Sequence, residues 1–406
     1  MRILIQPIHF DVSGVAQIET TPHKMVMKIS IIGAGPAGLY AAILIKRLRP
    51  DINIRLIEQN AANVTWGFGV VFSDRALDFL KEDDPETAEL VKPVMQHWDD
   101  IAIVHRGERV AIDGVGFRSI GRLEFLLLLQ KRAIELGIEP EYDTHIDRVE
   151  DAGDVDLVIG ADGLNSIVRA QAPEVYGENL TYLNNRFVWY GASKAFDVLT
   201  QTFKSTKSGP FNAHHYRYAQ AKSTFIIECS EQTFKRVGFG SMSEPDYRQI
   251  CEEIFSDELD GASLIANNSI WRRFPVLRCS TWHHTNRVLV GDALHTAHFS
   301  IGSGTRLALE DVVALVKALE SNDYRIEDAL PAYQAARQPI LDKLTRAAGA
   351  SAEWYEHFSD HMALAPWPFA LSYIMRAQRL DFTKLQNIAP QFASEIKQRN
   401  IIIPSS

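Results

Sequence analysis

Cysteine is scarce in this sequence. Cys229, Cys251 and Cys279 are the only three, widely spaced and odd in number. Neither a disulfide framework nor a CxxC-type zinc site can be built from them. The count suits a reducing compartment, so a cytoplasmic protein is expected. Long apolar runs are missing too. The longest clean stretch, Phe125 to Leu129, falls far short of the roughly 18–20 residues that span a bilayer. The N-terminus carries an early arginine but no apolar signal core and no small-residue cleavage site, so neither a membrane protein nor a secreted one is expected. Positive charge is in deficit, with 42 Lys and Arg against 51 Asp and Glu and a net charge of −9. A generally basic nucleic-acid binder is thereby excluded. No Gly-x-Ser-x-Gly elbow occurs, which removes the serine hydrolases. His283, His284, His295 and His298 lack a carboxylate or cysteine at ligand spacing, so no metal is expected.

What remains is an ordinary globular balance, 46% apolar and 23% charged over 406 residues. That length carries two or three domains. Residues 1–26 read as an extension ahead of the first convincing strand. Lys28 to Gly33 is a short β-branched run ending at glycine, the pattern of a buried parallel strand. A helix from Leu39 to Leu48 stops before Pro50, and Asn53 to Glu58 is a second strand, completing a βαβ unit. Gly121 to Gly137 reads as a helix, and Asp156 to Gly160 as another buried strand. Between about 180 and 280 the texture becomes β-rich with polar alternation, which predicts an antiparallel sheet covered on one face. Arg287 to Gly291 returns to the buried-strand pattern. A long helix follows from about Gly304 to Glu320, and the remainder is mostly helical.

Three motifs carry chemistry. In Gly33-Ala-Gly35-Pro36-Ala37-Gly38, Gly33 permits a tight turn, Gly35 lets a pyrophosphate approach the backbone, and Gly38 lets helix and strand pack closely. The helix that follows offers its free N–H groups and positive dipole end to phosphates. Glu58 ends the next strand and can accept hydrogen bonds from ribose hydroxyls. Together these predict a dinucleotide site. Two further strands end in Gly160-Ala-Asp162-Gly163 and Gly291-Asp292-Ala-Leu-His295, the second followed by Ile301-Gly-Ser-Gly304-Thr305 and a helix. A strand ending in Gly-Asp sets a carboxylate at a sheet edge, where it can hold a sugar-alcohol hydroxyl. The glycine-rich stretch can bring backbone N–H groups to an electron-rich ring. Taken singly, each is equally an ordinary strand-to-helix turn.

In this order, with Arg122 in Gly-Arg-Leu-Glu-Phe-Leu between the first two, the motifs resemble the single-component FAD aromatic hydroxylases related to p-hydroxybenzoate hydroxylase. The resemblance covers about 27–345. Phe68 to Asp74, Trp189-Tyr190-Gly191, Thr224 to Cys229 and His298 to Thr305 resemble the subgroup that acts on aryl-CoA thioesters and the violacein-type hydroxylases. The resemblance implies an α/β fold: a Rossmann-like FAD-binding domain over 27–180 and 286–345, interrupted by an antiparallel β-sheet substrate domain over 181–285, with C-terminal helices over 346–406. It implies that Glu58 binds the adenosine ribose, that Arg122 lies near the FAD phosphates, and that Asp292 holds the ribityl chain. The backbone at Gly304 and Thr305 would face the flavin pyrimidine edge, and Asp162 would support the FAD site. No second nucleotide motif is present, so NAD(P)H would act as a transiently bound co-substrate.

The expected activity is hydroxylation of an aromatic ring with NAD(P)H and O2, through a flavin C4a-hydroperoxide, most naturally on an aryl-CoA thioester. The alternatives are a hydroxylase of a free aromatic or indolic metabolite and a flavin-binding partner protein without turnover. The Trp-x-Trp-x-Ile-Pro signature of flavin halogenases is absent. The wider family usually has proline where this chain has His298-Phe299, so His298 is a candidate for contact with flavin or substrate. On the β-rich segment, His214 and Tyr216 share one strand face and His215 the other. His214 and Tyr190 are the candidates for polarising the substrate, with one of the two histidines facing the pocket and the other solvent. Lys204, Lys207, Arg217, Lys222, Lys235 and Arg236 are candidates for CoA phosphates, or else a solvated charged face.

Overall fold

The computed structural model describes residues 26–73, 78–302 and 304–403. All but one residue of the extension expected over 1–26 lies outside these, as do Asp74 and Ser303 of two quoted motifs. The first sheet has five strands in the order β15-β16-β8-β1-β2. Its members are β1 (Lys28–Ile32), β2 (Asn53–Ile57), β8 (Leu157–Gly160), β15 (His283–His284) and β16 (Arg287–Leu289). The β-branched runs are fully buried here because β1 lies parallel between β2 and β8, and β16 runs parallel to β8. Helix α1 (Pro36–Leu48) starts on a proline, which has no N–H to leave unsatisfied, and buries every residue from Ala37 to Ile45. Helices α2 (Arg122–Glu135), α3 (Gly304–Ser321) and α4 (Ile326–Glu356) pack around the same sheet core.

Gly33 adopts φ +98°, a conformation that side chains rarely tolerate. A Cβ there would also lie 2.5 Å from the Ala161 carbonyl oxygen. The tight turn and the close approach of two motif loops therefore rest on the same residue.

The second sheet has eight strands, β13-β9-β12-β11-β10-β5-β6, with β14 (Arg272–Cys279) also paired to β9. Its long members are β9 (Glu178–Ala192), β10 (Leu199–Thr206), β11 (Gly209–Ala219) and β12 (Lys222–Cys229). The short β13 (Leu264–Ile265) lies at one edge, and β5 (Ile101–His105) and β6 (Glu108–Ile112) at the other. Two expectations need correction. Residues 101–112 were expected with the first part of the cofactor domain, yet β5 pairs parallel with β10 and extends the antiparallel sheet. The sheet is also buried on both faces. One face meets the cleft and the cluster built by α5 (Pro366–Met375) and its neighbours, and the other is covered by Phe239, Tyr247, Phe255 and Trp271. No break occurs at 345, because α4 runs unbroken from Ile326 to Glu356. A third sheet of three strands, β3 (Gly69–Ser73), β7 (Phe117–Gly121) and β4 (Gln96–Trp98), in the order β3-β7-β4, links the other two. Among the described residues no helix is long and apolar enough to cross a membrane.

Gly33→Ala is expected to destabilise the protein by about 1–3 kcal/mol through the strained φ and the clash with Ala161. Urea unfolding of both proteins measures this, and an unchanged midpoint would show that the turn accommodates a side chain.

Candidate active site

Strands β1, β8 and β16 run parallel and end side by side, so their three glycine-containing loops meet at one sheet edge. That is where ligands sit in open α/β sheets. Two cavities open there. The smaller, about 130 Å³, is lined by Ala34, Glu58, Asn60, Thr65, Trp66 and Tyr142. The larger cleft is about 350 Å³. Gly35, Pro36 and Arg122 line both, so the cavities form one elongated site with a cation at its waist.

Of the expected cofactor residues, Gly35, Pro36, Ala37, Glu58, Arg122, Asp292, Gly304 and Thr305 line it, while Gly33, Gly38 and Asp162 do not. The Glu58 carboxylate is fixed by the amide of Ala34 at 2.9 Å and by the amide and side chain of Asn60 at 2.9 and 2.7 Å. Gly35 caps α1 without a side-chain hydrogen bond, and a Cβ at Gly35 would meet only open space. The first turn of α1 is thus bare toward the cleft at Gly35, Pro36 and Ala37, while Gly38 packs against Gly33 and Ala161. Arg122 donates from Nε to Thr65 Oγ1 at 3.1 Å. Burial lowers its pKa, and Asp292 across the cleft raises it again. Asp292 is enclosed by protein but open to the cleft. Desolvation pushes its carboxyl above the usual range, while Arg122 and His295 pull it back. Gly304 and Thr305 begin α3 and line the cleft, so the N-termini of α1 and α3 both face it. Asp162 is different. Its Oδ2 accepts from the Ile167 amide at 2.7 Å, and Ala161 and Gly163 on either side line the cleft while Asp162 does not. Burial raises its pKa.

Behind these loops lies Asp311 of α3, fully buried. It accepts from the Gly291 amide at 3.2 Å, from His295 Nε2 at 2.6 Å and from Arg337 Nε at 2.8 Å.

The eight-stranded sheet forms the opposite wall. Trp189, Ile226, His214 and Gln201 lie abreast in register across β9, β12, β11 and β10. Trp189, Ile226, His214 and Tyr216 line the cleft, facing Phe274 and Phe299. Tyr216 donates to the Gly69 carbonyl at 2.8 Å. His214 is buried, and neither of its ring nitrogens has a partner. Burial, and then the charge of Arg376, lower its pKa to about 3.

The sheet corrects three expectations. Tyr190 points to the face opposite Trp189, where it is fully buried with Phe211 and Phe225, and it does not reach the cleft. His215 does not face solvent. It stacks on Phe225 at 5.0 Å and shares a hydrogen bond with Thr202 at 3.1 Å. The physical reason for both is the second layer over the outer sheet face. His298 lines neither cavity, because its side chain turns back among Phe274, Phe299 and Tyr355 and pairs Nδ1 with Ser300 Oγ at 2.8 Å. Its neighbours Ala297 and Phe299 line the cleft instead.

The expected cation cluster is largely neutralised: Lys204 pairs with Asp257 and Glu258 at 2.8 and 3.1 Å, and Lys235 with Glu231 at 3.2 Å. Arg217 donates to the carbonyls of Asp197 and His97 at 2.7 and 2.6 Å, and Lys207, Lys222 and Arg236 are exposed away from the cleft. Sequence reasoning missed Arg376, Gln201 and Phe274. An arginine after an apolar helix and a glutamine within a strand carry no local signal of a site. Among the described residues no three His, Cys, Asp or Glu side chains come together to hold a metal.

Over residues 135–348 the chain matches the family described as the FAD binding domain. It is 36% identical to the salicyloyl-CoA 5-hydroxylase of a Streptomyces species, across 86% of this chain and 70% of that protein. It is 33% identical to the 3-hydroxy-4-methyl-anthranilyl-[aryl-carrier protein] 5-monooxygenase of Streptosporangium sibiricum, across 82% of this chain and 90% of that one. The solved structure of 2-methyl-3-hydroxypyridine-5-carboxylic acid oxygenase has the same fold, with a TM-score of 0.68 at 18% identity, covering 87% of this chain and 98% of the other.

The depressed His214 pKa generates a pH signature. The unfolded histidine, with an ordinary value near 6.5, binds a proton before the folded one does. The stabilising contribution of keeping His214 neutral is therefore intact above about pH 6.5 and is lost as pH falls toward about 3. Relative to His214→Gln, the wild type should lose about 1.4 kcal/mol per pH unit below 6.5. Comparing the two proteins isolates this from Glu228, which burial pushes up to about 8 and which acts in the opposite direction. Urea denaturation from pH 7.5 to 4.5 measures the gap, and a constant gap would mean that His214 titrates normally.

Proposed function

We propose that this chain, which belongs to the FAD-dependent aromatic hydroxylases, inserts one oxygen atom into the ring of an aryl thioester. The protein is a monooxygenase that uses FAD with NAD(P)H. The thioester is the finer step. Two relatives are named for an aroyl group carried on CoA and on an aryl-carrier protein. The observation that carries the reading is the elongated site itself: two joined cavities with two helix N-termini and Arg122 at the waist, facing an aromatic wall.

The residues present fit the cofactor. Bound FAD supplies the transfer of electrons from NAD(P)H to O2 and of one oxygen atom to the ring. In this reading Glu58 accepts from the adenosine ribose hydroxyls, its orientation already set by Ala34 and Asn60. The first turn of α1 and Arg122 take the pyrophosphate. Asp292 accepts from the ribityl hydroxyls, and the amides of Gly304 and Thr305 address the pyrimidine edge. Asp162 serves indirectly, by holding the loop that carries Ala161 and Gly163. The cofactor part then comprises 27–180 without β5 and β6, together with β15 and the chain from there to the end of α4 at Glu356. The substrate wall comprises the chain from residue 181 to the end of β14 at Cys279, with those two strands added.

Trp189, Ile226, Phe274 and Phe299 exclude water from the reacting face. His214 touches the same space, and burial holds its ring neutral with a pKa lowered well below the usual histidine range, which makes it a poor base. Its part is a hydrogen bond from a neutral ring. His298 acts by supporting Phe299 and the Ser300 turn.

Glu58→Ala and Asp292→Ala are each expected to lower the flavin retained on purification several-fold, read by absorbance. Unchanged flavin in both would overturn the residue roles. The activity test is NADH oxidation by the FAD-loaded protein with mass analysis of the product. Salicylyl-CoA and 2-aminobenzoyl-CoA are compared with salicylate, 2-aminobenzoate and tryptophan. A product heavier by one oxygen atom from the thioesters alone is the expected outcome. Turnover of a free acid or indole overturns the thioester step, and silence throughout favours a flavin-binding partner without turnover.

A further inference from the structure

Behind His214 lies a third, smaller cavity of about 50 Å³ that shares Val71, His214 and Gly302 with the main cleft. Its walls are apolar, from Ile101, Val115, Phe117, Leu199 and Ile374. Its polar groups are few: His214, Ser300 and Arg376, with Tyr373 alongside. At about 15 Å³ for each water-sized group it has room for roughly three, which is a ring substituent and not a ring.

Arg376 is half-buried, with its guanidinium 3.8 Å over the Tyr373 ring. It donates to Ser351 Oγ at 3.0 Å, to the Tyr373 carbonyl at 2.8 Å and to the Ser300 carbonyl at 2.8 Å. All three acceptors are neutral, and among the described residues no carboxylate pairs with it. Three of its five N–H groups are used, leaving two. A cation in an apolar cavity without a counter-charge is costly to keep. In the same cavity the two ring nitrogens of buried His214 have no hydrogen-bond partner, and neither do the side-chain polar atoms of Gln201, its buried register partner on β10. Buried polar atoms are normally satisfied, so an unpartnered histidine lining the same cavity as a cation that has no carboxylate beside it describes a ligand's place.

We propose that this cavity is a subsite for an anionic oxygen on the substrate ring, and that Arg376 selects for it. The proposal rests on the aromatic-hydroxylase reading and deepens it. A neutral His214 donates one N–H to the same oxygen. Two groups on an aromatic substrate supply such an oxygen: an ionised ring hydroxyl, which a thioester substrate retains, or a free carboxylate, which a thioester lacks.

Binding to the FAD-loaded protein, followed through the flavin spectrum, tests the subsite without requiring turnover. 2-Hydroxybenzoyl-CoA is titrated against benzoyl-CoA, and benzoate against benzamide. A charge-assisted pair predicts a preference of about ten- to hundredfold for the oxygen-bearing member of one series. Arg376→Gln should reduce that preference to within about twofold. Preference in the first series identifies the ring hydroxyl as the source, and in the second the carboxylate. Because Arg376 also ties Ser300 to Ser351, Val115→Trp provides a second route by filling the cavity from its half-buried wall, and it should abolish the same preference. Flavin content checks that each variant is folded. Absence of preference in both wild-type series, or a preference that survives both variants, overturns the proposal. Failure of thioester hydroxylation would appear separately, in the product analysis.

Discussion

Asp311 receives the Gly291 amide, His295 and Arg337 at one fully buried carboxylate. Placing a charge there is costly, and desolvation alone would drive its pKa up. His295 and Arg337 more than offset this, so the group lies below the usual carboxylate range. The bonds connect three parts of the chain: the turn after β16, the first half of α3, and α4. Arg337 reaches further to Glu310 at 3.0 Å, which holds Arg306 at 2.6 Å. Asp292 and the first turn of α3 are therefore fixed relative to one another, with Asp311 beneath both. Since those two features face the same cleft, its floor has little freedom to change shape. The sheet wall opposite is held by a different means, backbone pairing and stacked apolar layers, and is free to differ in side chains without disturbing the floor.

The cofactor half was legible because its constraints act on the backbone. A glycine at φ +98° and a carboxylate at the end of a strand leave local marks that any reading of strand, turn and helix can find. The substrate half was less so. Trp189 and Tyr190 are adjacent, and only strand parity decides which faces the cleft. That parity is invisible until the second layer over the outer face is known. His298 was singled out from its neighbourhood in the sequence, but the rings of Phe274 and Tyr355, 24 residues before it and 57 after it, decide where it points. Residues 101–112 form a hairpin, yet nothing local says that β5 pairs with β10, since Ile101 lies opposite Leu199. Arg376 has no motif around it at all. Its meaning comes from the absence of a carboxylate beside it, which only tertiary structure can reveal.

Strand β8 is the structural midpoint of the first sheet, pairing with β1 through Ile29 and Leu157 and with β16 through Val158 and Arg287. This has a consequence for the growing chain. Once residue 160 has emerged from a ribosome, β2, β1 and β8 can assemble, but one edge of β8 then stands unpaired until residues 287–289 are made. An open parallel edge with fully buried side chains is an aggregation hazard. During the same interval Asp292, Thr305 and the Asp311 anchor do not yet exist, so the nucleotide half-site is present without the half that would retain a flavin. Under the proposed residue roles, the cofactor could be fully held only after that second half is made. The intervening eight-stranded sheet, made wholly within that interval apart from β5 and β6, sets how long the exposed edge must wait.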